Sequence, residues 1–158
     1  MMYNFNIFIN GGEIMDSNSL KKITFDDLYS KASEYLHIQK NLDLIKKAYF
    51  YAKEKHEGQF RKSGDPYIQH PLEVAYYLAT LHSSPETVCA GLLHDVLEDT
   101  AVTKEEMEAE FGVDITTIVE GVTKISKLKY KTQEKVLAKT HQKILLAMAK
   151  DIRVVLVK

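Results

Sequence analysis

Along Asn41 to His56 the apolar residues Leu42, Ile45, Tyr49 and Ala52 recur at three- and four-residue steps, the spacing of one helix face. Gly58 follows as a stop. Upstream, Thr24 precedes FDDLYSKASEYLH as an N-cap, and Asp26 and Asp27 suit the positive end of a helix dipole. Ser84-Pro85-Glu86 is a cap followed by proline at the first helical position. The segment it opens, TVCAGLLHDVLED, is apolar almost all round, which predicts a central buried helix. Thr103 to Glu106 form a capping box, Gly112 closes that short helix, and Asp114 caps the next, DITTIVEGVTKISKL. A further helical stretch runs from about Lys131 to Lys150, and Asp151 caps the entry to RVVLVK. Val154, Val155, Leu156 and Val157 have strand-like character. No partner pattern exists elsewhere, so this segment reads as the start of a buried helix. The expectation is one all-α domain without repeats or linkers.

A chain of 158 residues, 45% hydrophobic and 27% charged, can bury a core without staples. A formal charge of -1 argues against a general nucleic-acid surface and against a polybasic membrane anchor. Cys89 is the only cysteine, which excludes a disulfide framework and a CxxC metal knuckle. Any metal must therefore be held by His and carboxylates. No apolar run is long enough for a transmembrane helix. The amino terminus, MMYNFNIFINGGEIM, has no Lys or Arg before Lys21, so it makes a poor signal peptide and the expected compartment is the cytoplasm. Gly11-Gly12-Glu13 can be encoded by a ribosome-binding sequence just ahead of Met15. Met15 is then the expected biological start, residues 1–20 a disordered or non-native leader, and residues 21–158 the domain.

Polar residues concentrate in three places where a packed core would not want them: Arg61-Lys62-Ser63-Gly64, Tyr67-Ile68-Gln69-His70-Pro71, and Leu92 to Thr100. The last is the most informative. His94 and Asp95 are adjacent, and Glu98 and Asp99 follow one helical turn later. Burying an imidazole beside carboxylates is costly unless a cation compensates. A divalent ion does so, and these ligands suit Mn²⁺, Fe²⁺ or Zn²⁺. Adjacent helical residues point about 100° apart, so other helices must add ligands, and His70 is the natural donor.

HPxxVA, LLHDVxEDT and the basic RKSG loop occur in order and close together. In this combination the chain resembles the HD-domain metallophosphohydrolases, and more narrowly the hydrolase domain of the bacterial Rel/Spo enzymes. The resemblance runs from roughly residue 40 to residue 158, through AYFYAKEKHEGQFRKSGDPYIQHPLEVAYYLATL, AGLLHDVLEDT, EFGVDITTIVEGVTKISKL and AMAKDIRVVLVK. It implies an HD-type helical bundle with His70, His94 and Asp95 as three of four ligands to Mn²⁺. It implies that Glu98 and Asp99 position or activate the attacking water. It also implies that Arg61, Lys62 and Ser63 contact a guanosine nucleotide, a role that suits a guanidinium on a purine and cationic donors on polyphosphate. The reaction implied is metal-dependent removal of pyrophosphate from the 3′ position of guanosine tetra- or pentaphosphate, leaving GDP or GTP, within a longer synthetase/hydrolase.

The resemblance places the fourth ligand, an aspartate, just past Lys158, so a truncated last helix and a domain cut from a longer chain are expected. The apolar end would then offer a surface for a second copy. Asp114 and Asp151 read better as helix caps than as that ligand. The alternatives are an HD phosphohydrolase acting on another nucleotide and a catalytically silent nucleotide-binding module. Lys124, Lys127, Lys129, Lys131, Lys135 and Lys139 read as a solvated face, His56 as core packing or a hydrogen bond near the site, and Cys89 as a small core residue. His37, His82 and His141 read as surface, and Tyr76 and Tyr77 as packing.

Overall fold

A computed structural model describes residues 9–10, 13–14, 22–129 and 153–157. Among the described residues seven helices follow in chain order: α1 (Phe25–Ser33), α2 (Gln39–Lys55), α3 (Gln69–Thr80), α4 (Pro85–Leu93), α5 (Val96–Asp99), α6 (Lys104–Lys129) and α7 (Arg153–Val157). The domain is all-α, as expected. A minimal hairpin is the exception. Ile9–Asn10 pairs antiparallel with Glu13–Ile14 inside the stretch expected to be a leader. The expected helix over residues 131–150, with His141, Asp151, Lys131, Lys135 and Lys139, lies outside the described residues. Among the described residues no helix is long and apolar enough to cross a membrane.

The helix starts are set by side chains. At α1, Thr24 and Asp27 make a reciprocal capping box, with Asp27 N donating to Thr24 Oγ1 at 3.2 Å and Thr24 N to Asp27 Oδ2 at 2.8 Å. Ser84 accepts from Thr87 N at 3.3 Å ahead of Pro85, and Thr103 and Glu106 repeat the capping box at α6. Gly112, at φ 84° and ψ 167°, breaks α6 into two arms. That left-handed backbone is open to glycine and strained for other residues. Asp114, expected to cap the second arm, lies inside it, two residues past the Gly112 break, and its carboxylate is turned to a distant partner. Arg153 of α7 donates to both its carboxylate oxygens, at 2.6 and 3.0 Å, tying the end of the described chain to the second arm of α6.

α4 is the centre of the bundle, with Thr87 to Leu93 all buried. α2 covers it with Leu42, Ile45, Ala48 and Ala52; α3 with Leu72, Ala75, Leu78 and Ala79; α6 with Met107, Ile115, Ile118, Val119 and Val122. Arg153–Val157 is helical, as expected, with Val157 of α7 buried against α3, α4 and α6 and Leu156 exposed. Cys89 is fully buried and its thiol is pushed up by desolvation, consistent with a packing role. Tyr77 departs from expectation: it is 58% exposed, whereas its neighbour Tyr76 packs on the core.

The reading of TVCAGLLHDVLED as one helix is corrected. The regular helix stops at Leu93, His94 and Asp95 form a turn, and α5 begins at Val96. Both turn residues keep right-handed helical angles, so periodicity runs through the break. Asp99 N still bonds Asp95 O at 2.9 Å, which preserves their one-turn relation.

Candidate metal centre

Two neighbouring helices deliver the site. His70 stands in the first turn of α3, where Pro71 is tolerated because the amide it lacks would have no intrahelical partner. His94 and Asp95 form the turn at the buried end of α4. One ligand atom from each of His70, His94 and Asp95 falls within a 4.8 Å group. The two imidazoles meet edge to face, centroids 5.2 Å apart. His94 Nε2 lies 3.2 Å from Asp95 Oδ1, and His70 Nε2 lies 3.8 Å from Asp95 Oδ2.

The donor set fits a cation on chemical grounds. His94 Nδ1 is 2.8 Å from the carbonyl of Gly91, which can only accept, so Nδ1 carries a proton. In the neutral ring the Nε2 lone pair then faces the Asp95 carboxylate. Two electron-rich atoms 3.2 Å apart in a buried place need a positive charge beside them, either a proton or a metal ion. A backbone carbonyl behind a ligating imidazole is also the usual device for fixing its tautomer. Burial pushes the Asp95 carboxyl up, but the hydrogen bond and charge of His94, followed by the bond from Tyr67, outweigh it and leave the group at about 2. Burial and then the neighbouring His94 lower His70, so its neutral, ligating form persists further into acid than usual.

Protons and divalent ions therefore compete for one place. Binding of Mn²⁺ is expected to release protons and to weaken as pH falls through the histidine range, because each imidazole ligates only when neutral. Calorimetric titration between about pH 8 and pH 5.5, in buffers of different ionisation heat, reads both effects. Affinity flat across that range would remove the histidines from the ligand set.

The carboxylates of α5 divide. Asp99 Oδ2 accepts from the Tyr67 phenol at 2.9 Å, and the same Tyr67 oxygen is 2.8 Å from Asp95 Oδ2, so Asp99 is tied to the ligand cluster. Glu98 is half-buried and its carboxylate has no hydrogen bond or ion pair among the described residues. Tyr67 was quoted in the sequence motif without a role. The signal was a phenol three residues before a candidate ligand. Its ring stacks on the buried His56, centroids 4.7 Å apart. His56 Nδ1 is 2.8 Å from Gln59 Oε1, and Gln59 Nε2 donates to the carbonyl of Asp99 at 3.0 Å, so His56 does pack and bond near the site.

The basic loop is shaped by its own hydrogen bonds. Arg61 N donates to Asp65 O at 2.8 Å, Gly64 N to Arg61 O at 2.9 Å, and Phe60 and Pro66 form a β-bridge. Arg61 and Lys62 are exposed. The Arg61 guanidinium reaches over the start of α3, 3.8 Å from Glu73, and its charge helps to lower His70. The Ser63 hydroxyl donates to Asp65 Oδ2 at 2.9 Å. A cavity of about 530 Å³ lies behind Tyr67 and His56, between Phe50, Phe60 and Ile68, and none of the three ligands lines it.

A helical bundle whose central helix ends in an adjacent His-Asp pair, met by a histidine from the neighbouring helix, defines a divalent-metal domain. The chain belongs to the HD-domain family, whose model, described as HD domain, matches residues 48–158. It is 45% identical over 87% of its length to a guanosine-3′,5′-bis(diphosphate) 3′-pyrophosphohydrolase of Spiroplasma citri, covering 18% of that protein. It is 46% identical over 85% of its length to a GTP pyrophosphokinase of Myxococcus xanthus, covering 19%. It is 42% identical over 85% of its length to the bifunctional (p)ppGpp synthase/hydrolase of Escherichia coli K12, covering 19%. The chain thus spans about a fifth of the length of these relatives.

Proposed function

We propose that this domain hydrolyses guanosine tetra- and pentaphosphate, releasing pyrophosphate from the 3′ position and leaving GDP or GTP, as the hydrolase part of a longer synthetase/hydrolase acting in the cytoplasm. The observation that carries the reading is the convergence of His70, His94 and Asp95 within 4.8 Å, in a chain 45% and 42% identical to two relatives named for this hydrolysis. His70, His94 and Asp95 hold a divalent ion, Mn²⁺ in our reading, and a further ligand completes the site. When bound, that ion supplies Lewis acidity toward water and toward the phosphoryl oxygens.

The chain's own residues do the rest. Asp99, with Glu98 beside it on α5, orients the attacking water and accepts its proton. Arg61, held over the start of α3, stacks its guanidinium on the guanine base, and Lys62 pairs with the polyphosphate. Ser63 joins the nucleotide by exchanging its bond to Asp65 for one to the ligand.

The test is pyrophosphate release with added Mn²⁺, from guanosine tetraphosphate beside GTP and other nucleoside triphosphates. It is run on this chain and on a longer one that continues past Lys158. Selective turnover of the 3′-pyrophosphorylated nucleotide is expected. Preference for ordinary triphosphates would replace the substrate assignment. Nucleotide binding without turnover in both chains would make the domain a silent binding module.

A further inference from the structure

Given the hydrolytic metal site proposed above, we propose that Tyr67 is a positioning residue that couples the metal ligand Asp95 to the water-orienting Asp99 through one shared phenolic proton. The geometry is specific. The Tyr67 oxygen stands 2.8 Å from Asp95 Oδ2 and 2.9 Å from Asp99 Oδ2, so two carboxylates compete for a single O–H. Neither can be satisfied fully while the other is.

The phenol cannot drift away from that position. Its ring is stacked on His56, which is 3% exposed and anchored through Gln59 to the carbonyl of Asp99. Asp99 is therefore gripped twice from one scaffold: its backbone by Gln59 and its carboxylate by Tyr67.

The consequence is a two-position hydrogen bond. In the metal-free site, Asp95 competes strongly for the proton. With an ion held there, Asp95 would be the poorer acceptor of the two, and Tyr67 would donate to Asp99. Ligation at Asp95 would thereby strengthen the hold of Tyr67 on Asp99 and set the water-orienting carboxylate more firmly. Asp99 in turn relieves Asp95 of a competing donor and strengthens its hold on the ion, because such coupling is reciprocal.

A thermodynamic cycle on Mn²⁺ affinity tests this with Tyr67→Phe, Asp99→Asn and the double variant of this chain. Phenylalanine keeps the ring on His56, and unchanged helicity and melting temperature confirm the fold of each variant. Asp99→Asn should weaken Mn²⁺ binding about tenfold in the wild-type background and by clearly less in Tyr67→Phe. In the active chain, Tyr67→Phe should lower kcat by about 10- to 100-fold with KM for the nucleotide little changed. Additive effects on Mn²⁺ affinity, or Tyr67→Phe with wild-type kcat, would overturn the coupling while leaving the hydrolase reading intact. A chain continued past Lys158 that binds no Mn²⁺ would sink the hydrolase reading, and the coupling with it.

Discussion

Replacement of His94 by alanine should abolish stoichiometric Mn²⁺ binding and reduce pyrophosphate release by on the order of 10³-fold or more. The magnitude follows from what the side chain does. A metal ion contributes several kcal/mol to stabilising charge in such a transition state, and each 1.36 kcal/mol is a factor of ten in rate. His94 is the most deeply buried of the three ligands, at 5% exposure against 13% for Asp95 and 36% for His70. It is also the one whose tautomer is fixed by the backbone, through Gly91 O. Water cannot take its place with the same geometry. The loss should be separable from unfolding, because the helical signal depends on α4 packing rather than on the imidazole. Near-wild-type hydrolysis by His94→Ala, with the fold intact, would falsify the metal mechanism.

Gly91→Val should be the most damaging single change to the scaffold. A Cβ at Gly91 would come within 2.7 Å of Leu78 Cδ1, with the Ala75 backbone at 3.4 Å behind it. Leu78 is 1% exposed, so its tip has no free space to enter. Gly91→Ala is expected to cost about 1 kcal/mol, the overpacking being partly offset by alanine's better helix propensity. Valine's two further methyls press on the Ala75 backbone itself, and about 3 kcal/mol is expected from typical overpacking costs. Against a typical stability of ~5–15 kcal/mol that is a large fraction. The position is more than structural, because α3 carries His70 and the carbonyl of Gly91 holds His94. Wedging the helices apart should therefore weaken Mn²⁺ affinity even where the protein remains folded. Urea unfolding and metal titration read the two effects, and a valine variant as stable as wild type would contradict the tight crossing.

The parts of this fold legible from sequence were those governed by neighbours along the chain. Thr24, Ser84 and Thr103 satisfy amides within three residues, so their helices start where the side chains say they should. α3 is not among the helices read from the sequence; its Pro71 lies in the first turn, where it costs no hydrogen bond. The break at His94-Asp95 left no trace in the periodicity, since both residues keep helical angles. The pairing of Ile9–Asn10 with Glu13–Ile14 did leave one, the Gly11-Gly12 pair between the two strands, in a stretch expected to be a leader.

The same division holds at the site. His70, His94 and Asp95 could be singled out by residue type and motif. Tyr67 could not be assigned a role, because its partners lie 28 and 32 residues away and only the packed bundle brings them together. Asp114 was read as a local cap for the same reason; its partner Arg153 is 39 residues downstream.

The α3–α4 pair, joined by the short connection after Thr80, bears on how this protein reaches its native state. His70 and Asp95 are only about 25 residues apart, so three ligands are recruited by closing one modest loop between adjacent, locally formed helices. Such short-range contacts form early in folding, since little chain entropy must be lost before they are made. A newly synthesised chain can thus assemble this part of its ion-binding apparatus as soon as α4 and its terminal turn have emerged. An ion captured then would favour the correct α3–α4 pairing over any competing one while the rest of the chain is still being made.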